Sequence, residues 1–356
     1  MATHTHTPAP QLYTIGESLR AFGPEHRQWL GIPSVERSGG GRLFVTFYSG
    51  GPGEGYGNYC ALLRSDDGGL TWRDPVAAVS AGDNARCFDP CLWTDPLGRL
   101  WWTFSVQRDN GVWCCLCGDP DAPCLEWSQP RRLADGVMMN KPLVTAAGDW
   151  LFPIAVWRDD VQAGDAVKFG FEAVAGEKKS FVYRSRDRGA TFERLGGADV
   201  PRTYFDEHML LQRGDGSLRM LVRTRESAGG IGQALSRDGG ATWETVPCGL
   251  TGPSARFHIR TLQSGNVLLL HHYNTLERDN LAAMLSTDGG VTFPHRLLID
   301  PHDDVSYPDA TQAPDGTVIM VYDRERYGAK EILMAKFTEA DILAGEIGGG
   351  GVCRVV

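Results

Sequence analysis

An eight-residue pattern, S-x-D-x-G-x-T-[W/F], occurs four times in this chain and constrains its fold more than any other feature. The copies run from Ser65 to Trp72, Ser185 to Phe192, Ser236 to Trp243 and Ser286 to Phe293, with first serines 120, 51 and 50 residues apart. A period near 50 residues is that of one four-stranded propeller blade. Two blades without an intervening copy would fill the long separation. Each copy has a local physical logic. The aspartate accepts from backbone N–H groups just ahead of it, a glycine takes the positive φ of the turn, and the aromatic packs into the blade. Asp67, Asp187, Asp238 and Asp288 are therefore read as structural, not catalytic.

Between these copies recurs a second unit, an apolar strand, a glycine-containing turn and another apolar strand. It appears as PSVERSGGGRLFVTFY, PCLWTDPLGRLWWTFSV, PLVTAAGDWLFPIAVW, HMLLQRGDGSLRMLVR, FHIRTLQSGNVLLLHHY and DATQAPDGTVIMVYD. Six such hairpins predict an all-β, six-bladed propeller with four antiparallel strands per blade. The 44 glycines and 20 prolines suit so many turns. A blade buries its faces only against its neighbours, so residues 1–356 are expected to form one domain with a short flexible tail over about 1–10. The ring is expected to close by lending its final blade a strand from near the opposite terminus, Gln11 to Arg20 or Val352 to Val356. A short helix is expected after Thr338, stopping at Gly345.

The formal net charge of -9, with no block of like charges, argues against nucleic acid or an anionic membrane as partner. The first twenty residues have neither a basic region nor an apolar run, and no later stretch reaches the length of a membrane span, so a cytoplasmic location is expected. An odd number of cysteines, nine, fits that better than a disulfide framework does. Six of them fall between Cys87 and Cys124, without paired metal-ligand spacing; they read as small buried apolar residues of one blade rather than a zinc site.

In a propeller the innermost strands end at the mouth of the central channel, where side chains from every blade can meet a ligand. The polar residues just before each hairpin are thus the candidates: Asp89, Asn140 and Lys141, then Asp206, Glu207 and His208, then Arg256 and His258, then Tyr307 and Asp309. Glu54 and Asn58 follow the first hairpin. Such a ring of acids, bases and cations suits recognition and cleavage of a sugar. Tyr307, ahead of a proline, also fits a strand end packing against its neighbour blade. His271 and His272 fit satisfied core histidines equally well, and Arg324 and Arg326 read as residues of a solvated loop.

The eight-residue pattern resembles the Asp box of sialidases and related propellers, and blades four to six resemble the C-terminal half of exo-sialidases. In that family a glutamate opens one blade and an arginine closes its second strand, which DEHMLLQRGDGSLRMLVRT matches with Glu207 and Arg223. A second family arginine precedes an Asp box, where LERDNLAAMLSTDGG offers Arg278. The nucleophilic tyrosine lies in a Y-S-D-L-like strand followed by a Y-E pair, and SYPDATQAPDGTVIMVYD offers Tyr307, then Tyr322 and Asp323. Two departures stand out. The family's first arginine belongs to an R-I-P motif, where this chain reads Gly31-Ile32-Pro33, so Arg27 or Arg256 is the expected substitute. The family's acid is an aspartate in the loop where this chain has only Glu54.

The resemblance implies an exo-glycosidase of the sialidase type that hydrolyses a terminal acidic sugar through a tyrosine nucleophile, with retention. Tyr307, Glu207 and Glu54 are its expected catalytic residues. Arg223, Arg278, Arg256, His208, His258, Asp89, Lys141, Asp309 and Asp323 are its expected substrate-binding residues. Gly31 leaves space where an arginine would stand, which favours another acidic or bulkier sugar over common sialosides. Two other readings compete. One is a polysaccharide lyase or uronic-acid-glycan hydrolase using His208 and His258. The other is a non-catalytic carbohydrate-binding propeller. No cofactor or metal is expected, so turnover should survive dialysis against a chelator; loss of activity that zinc or calcium restores would contradict this.

Overall fold

The computed structural model describes residues 9–14, 16–107, 110–169, 174–225, 229–273, 276–348 and 351–356, with side chains for all of these but 165–169. Six antiparallel sheets follow one another along the chain as the blades of a propeller. Their innermost strands are Trp29–Arg37, Arg86–Thr94, Leu143–Val144, Met209–Gln212, His258–Thr261 and Val305–Gln312. Each leads through a turn into the second strand of the hairpin read from sequence. Blades two to six have four strands each, and blade one has a fifth on its outer edge, Gln11–Tyr13, paired with Arg73–Ser80. The last blade ends on Val352–Arg354, paired with Glu331–Phe337. Of the two segments expected to complete the final blade, Val352–Arg354 does so, while Gln11–Tyr13 adds to blade one and no strand crosses between first and last blades among the described residues. The flexible tail expected over about 1–10 lies mostly outside the described residues. The helix Glu339–Ala344 has a capping box on Thr338 and a left-handed Gly345 at its end.

The four sequence repeats are one turn built four times, between the third and fourth strands of blades one, three, four and five. In the first, the Ser65 hydroxyl donates to Asp67 at 2.7 Å and accepts from the Gly69 N–H at 2.7 Å. Asp67 in turn accepts from the Leu70 and Thr71 N–H groups and the Thr71 hydroxyl at 2.6–3.0 Å. These bonds hold the carboxylates of Asp67, Asp187, Asp238 and Asp288 below their ordinary pKa. The long separation covers only one blade without a copy, the second; the helix Asp159–Phe169, inserted in blade three, takes up the rest.

What closes the ring is apolar packing between blades. Six clusters of buried residues lie one at each junction, and the junction of blades six and one is among them, with Val321, Ile332 and Met334 against Val35, Val45 and Phe47. Large side chains fill these seams. Trp93 meets Trp150 edge to face at 5.0 Å, and Trp29 tilts against Tyr48 at 4.8 Å. Cys60, Cys87, Cys115 and Cys117 belong to the seam of blades one and two, and Cys114 to the next. Burial pushes the Cys91 and Cys114 thiols up to about 12 and about 11.

Along the axis the inner strands are tied by charge instead. Asp309 of blade six accepts from the Ser34 hydroxyl at 2.6 Å and the Val35 N–H at 2.9 Å. Lys141 lies 3.1 Å from the same carboxylate and donates to the carbonyls of Val35 and Leu92 at 2.7 and 2.6 Å. Arg256, fully buried, donates to Asn140 Oδ1 and to the carbonyls of Pro33 and Met139 at 2.8–3.1 Å. Asn140 donates to the Glu207 carbonyl at 2.7 Å, and His258 Nδ1 lies 3.0 Å from Asp309. Burial raises Asp309, but Lys141, His258 and Arg256 outweigh it and hold the carboxylate well below its usual range. This hub plugs the channel. Arg256, His258, Lys141 and Asp309, expected to contact substrate, are instead neighbours in it.

Removing one member of such a network strands buried charges of the opposite sign. Asp309→Ala should therefore cost about 3–5 kcal/mol in urea unfolding, and a loss under about 1 kcal/mol would contradict the hub's role. A second prediction concerns pH. Burial holds His208 and His272 at about 4, against an ordinary 6.5, although each has a ring nitrogen 2.8 Å from a backbone carbonyl. The unfolded chain then binds more protons between these values, so both residues cost stability as pH falls from about 6.5 to 4. Asp206, pushed by burial from 3.8 to about 7, acts oppositely: its contribution is full below 3.8 and lost as pH rises through 7. In Tm measured from pH 4 to 7, His208→Gln should make the slope less positive and Asp206→Asn should make it more so.

Candidate functional site

Three inner strands carry the same irregularity. Ile32, Asp89 and Tyr307 each precede a proline, each sits in a bulge of the first hairpin, and each has a left-handed φ of 49–58°. A branched or bulky residue ahead of proline resists that conformation, so each position stores roughly 1–3 kcal/mol of strain. The bulge re-aims the side chain from the seam to the channel mouth. Blade four achieves this with three consecutive left-handed residues, Phe205, Asp206 and Glu207.

These residues surround a cavity of about 460 Å³ above the hub. Its lining includes Tyr48, Glu54, Arg86, Asp89, Trp157, Tyr204, Glu207, Arg223, Arg278, Tyr307 and Arg326. At its floor three groups converge. Tyr307 Oη donates to Glu207 Oε1 at 3.1 Å, and Arg223 Nη1 donates to the same oxygen at 2.7 Å and to Tyr307 Oη at 3.3 Å. Burial and the Glu207 charge push Tyr307 up to about 12, opposed by Arg223, Arg278 and Arg326. Two more guanidiniums flank the phenol ring, Arg326 at 5.0 Å and Arg278 at 5.4 Å from its centroid. No carboxylate lies within ion-pair distance of Arg278 among the described residues; it donates to the Ser254 carbonyl at 3.1 Å. Glu54 lies 3.5 Å from Arg86 and 3.6 Å from Arg326.

Of the expected site residues, the cavity therefore brings together Tyr307, Glu207, Glu54, Asp89, Arg223 and Arg278. Asp323 lies directly behind it, buried, accepting from the Ile32 N–H at 2.7 Å and the Ser306 hydroxyl at 2.8 Å. His208 is buried against the Phe181 carbonyl and does not line it. Tyr322 is fully buried in the seam of blades five and six, where it donates to Asp300 at 2.8 Å, and Arg324 donates to Glu331 at 2.8 Å. Arg27, one proposed substitute for the missing arginine, pairs with Asp74 at 2.6 Å, and Arg256 stays in the hub.

Arg86, Tyr48, Trp157, Tyr204 and above all Arg326 were not expected. The recurrence of Ile-Pro, Asp-Pro and Tyr-Pro on three inner strands was a usable signal for the bulges. Arg326 had none, because its turn reads as solvated. An ideal Cβ on Gly31 would collide with Arg326 Cδ and lie 3.0 Å from Arg326 Cγ and Asp323 Oδ2. The space left by Gly31 is thus filled, which removes the room expected for a bulkier sugar.

Comparison with known proteins agrees with this architecture. A Paenibacillus xyloglucanase is 30% identical over 166 residues, which is 45% of this chain; the chain spans only 15% of that protein. The leech intramolecular trans-sialidase superposes with a TM-score of 0.69 at 14% identity, covering 93% of this chain and 71% of that one. A Hadza microbial sialidase superposes with a TM-score of 0.65 at 18% identity, covering 84% of this chain and 64% of that one. A Dyadobacter fermentans protein of unknown function superposes equally well, at 18% identity, over 90% of this chain and 96% of its own. Such identities speak to the fold alone. The BNR repeat-like domain matches residues 41–320, most of the chain, and this protein belongs to that family, built as a sialidase-like six-bladed propeller.

Proposed function

We propose that this protein is an exo-acting glycoside hydrolase that removes a terminal acidic sugar with retention. The observation that carries the reading is the Tyr307–Glu207–Arg223 triangle at the floor of a cationic cavity. A sugar with a carboxylate on its reacting carbon repels a carboxylate nucleophile. A neutral phenol does not, provided a base takes its proton as it attacks. Supporting that role for Glu207, one of its oxygens meets Tyr307 and Arg223 while the other, buried Oε2, has no partner among the described residues.

In this scheme the Tyr307 oxygen bonds to the anomeric carbon while its proton passes to Glu207, and Glu54 protonates the departing oxygen. Water, deprotonated by Glu54, then breaks the tyrosyl–sugar bond, and Glu207 returns the proton to Tyr307. Arg223 and Arg278 hold the sugar's carboxylate by charge-assisted hydrogen bonds. The lyase reading loses support, because no histidine lines the cavity among the described residues. Among the described residues no helix is long and apolar enough to cross a membrane.

Tyr307→Phe should abolish turnover of an acidic glycoside while leaving the fold intact. Glu207→Gln should lower kcat by about 10²–10⁴-fold, and the double variant should cost little more than the worse single one. Rates for Tyr307→Phe equal to the natural enzyme's would end the mechanism. Binding of an acidic sugar without any release of product would leave a carbohydrate-binding propeller.

A further inference from the structure

We propose that Arg326 is the third anion-binding residue of this cavity, taking over from blade six the work that an arginine at position 31 does in sialidases. The inference rests on the acidic-sugar reading and specifies how the anion is gripped. Position 31 is glycine, and its backbone is not left-handed, so conformation does not demand glycine there. Space does. The Arg326 side chain occupies the volume that any side chain on residue 31 would need.

The turn that delivers Arg326 is fastened to blade one. Lys330 donates to the Arg27 carbonyl at 3.1 Å, and the Tyr327 ring lies 6.0 Å from that of Trp29. Within the turn, the N–H groups of Gly328 and Lys330 donate to the Glu325 carbonyl at 2.9 and 2.8 Å. The guanidinium is then aimed by two carboxylates, Asp323 at 3.8 Å behind it and Glu54 at 3.6 Å beside it. Both distances exceed a good charge-assisted hydrogen bond, so donors remain for a ligand. Arg223, Arg278 and Arg326 thus reach the Tyr307 ring from three blades. A carboxylate on the carbon that Tyr307 attacks would meet all three.

The test measures binding of N-acetylneuraminic acid, glucuronic acid and, as a neutral control, galactose by saturation-transfer NMR and calorimetry. The natural protein should bind at least one acid. Arg326→Gln should weaken that acid by about 10- to 100-fold, the usual weight of a charge-assisted contact, and leave the neutral sugar unchanged. Gly31→Arg alone should also weaken it, since the two side chains compete for one volume. Gly31→Arg combined with Arg326→Ser should recover most of the affinity. Circular dichroism and Tm establish that each variant is folded. Undiminished acid binding by folded Arg326→Gln, alongside loss in Arg278→Gln, would overturn the assignment of Arg326 and leave the acidic-sugar reading standing. Failure of the natural protein to bind either acid, with galactose bound, would instead overturn that reading and this inference with it.

Discussion

The buried carboxylate of Asp309 is the fixed point of this propeller. Through direct bonds and the side chains of Lys141, Arg256 and Asn140, it connects backbone or side-chain groups of all six blades. Apolar seams hold neighbouring blades together, but they are non-directional and tolerate sliding. A network of charged groups with fixed bond directions does not. Taking these ions out of water is costly, and the compensation is geometric as much as energetic: the network sets where each inner strand begins. Tyr307 lies two residues from Asp309, and Glu207 gives its carbonyl to Asn140, so two residues of the candidate site inherit their positions from the hub.

Above that floor the cavity balances strain against charge. Left-handed residues ahead of proline are unfavourable by themselves, and the bulges persist because the flanking ladder and the hub over-determine them. Five arginines and four carboxylates line the cavity, and most of the cations are already paired. Arg278 is the exception, and the loosely paired Arg326 stands beside it. This arrangement keeps the cavity lining close to neutral while leaving arginine donors for a ligand.

Six of the expected site residues, Tyr307, Glu207, Glu54, Asp89, Arg223 and Arg278, line one cavity. Tyr307, Glu207 and Arg223 occupy positions set by the repeating hairpin, which is visible as apolar segments around a glycine turn, whereas Arg278 lies in the loop before a third strand. Residues close to these in the chain lie elsewhere. Lys141, Arg256, His258 and Asp309 stand at or near the inner strands as the site residues do, yet they bond to one another in the hub and do not line the cavity. In a strand a shift of one residue reverses the side chain, and a bulge resets that alternation without leaving a mark in composition.

The sequence by itself determined the six hairpins and the four aspartate turns, and it offered a set of ionisable residues near the ends of the inner strands. These follow from local rules: glycine and aspartate make the turns, and apolar runs make the strands. Only the tertiary structure decided which ionisable groups are spent on the hub and which are free for a ligand. It alone brought Arg326 into the space above Gly31, nearly 300 residues away in the chain. No local pattern can announce that contact, because it arises where the ring closes and the last blade meets the first.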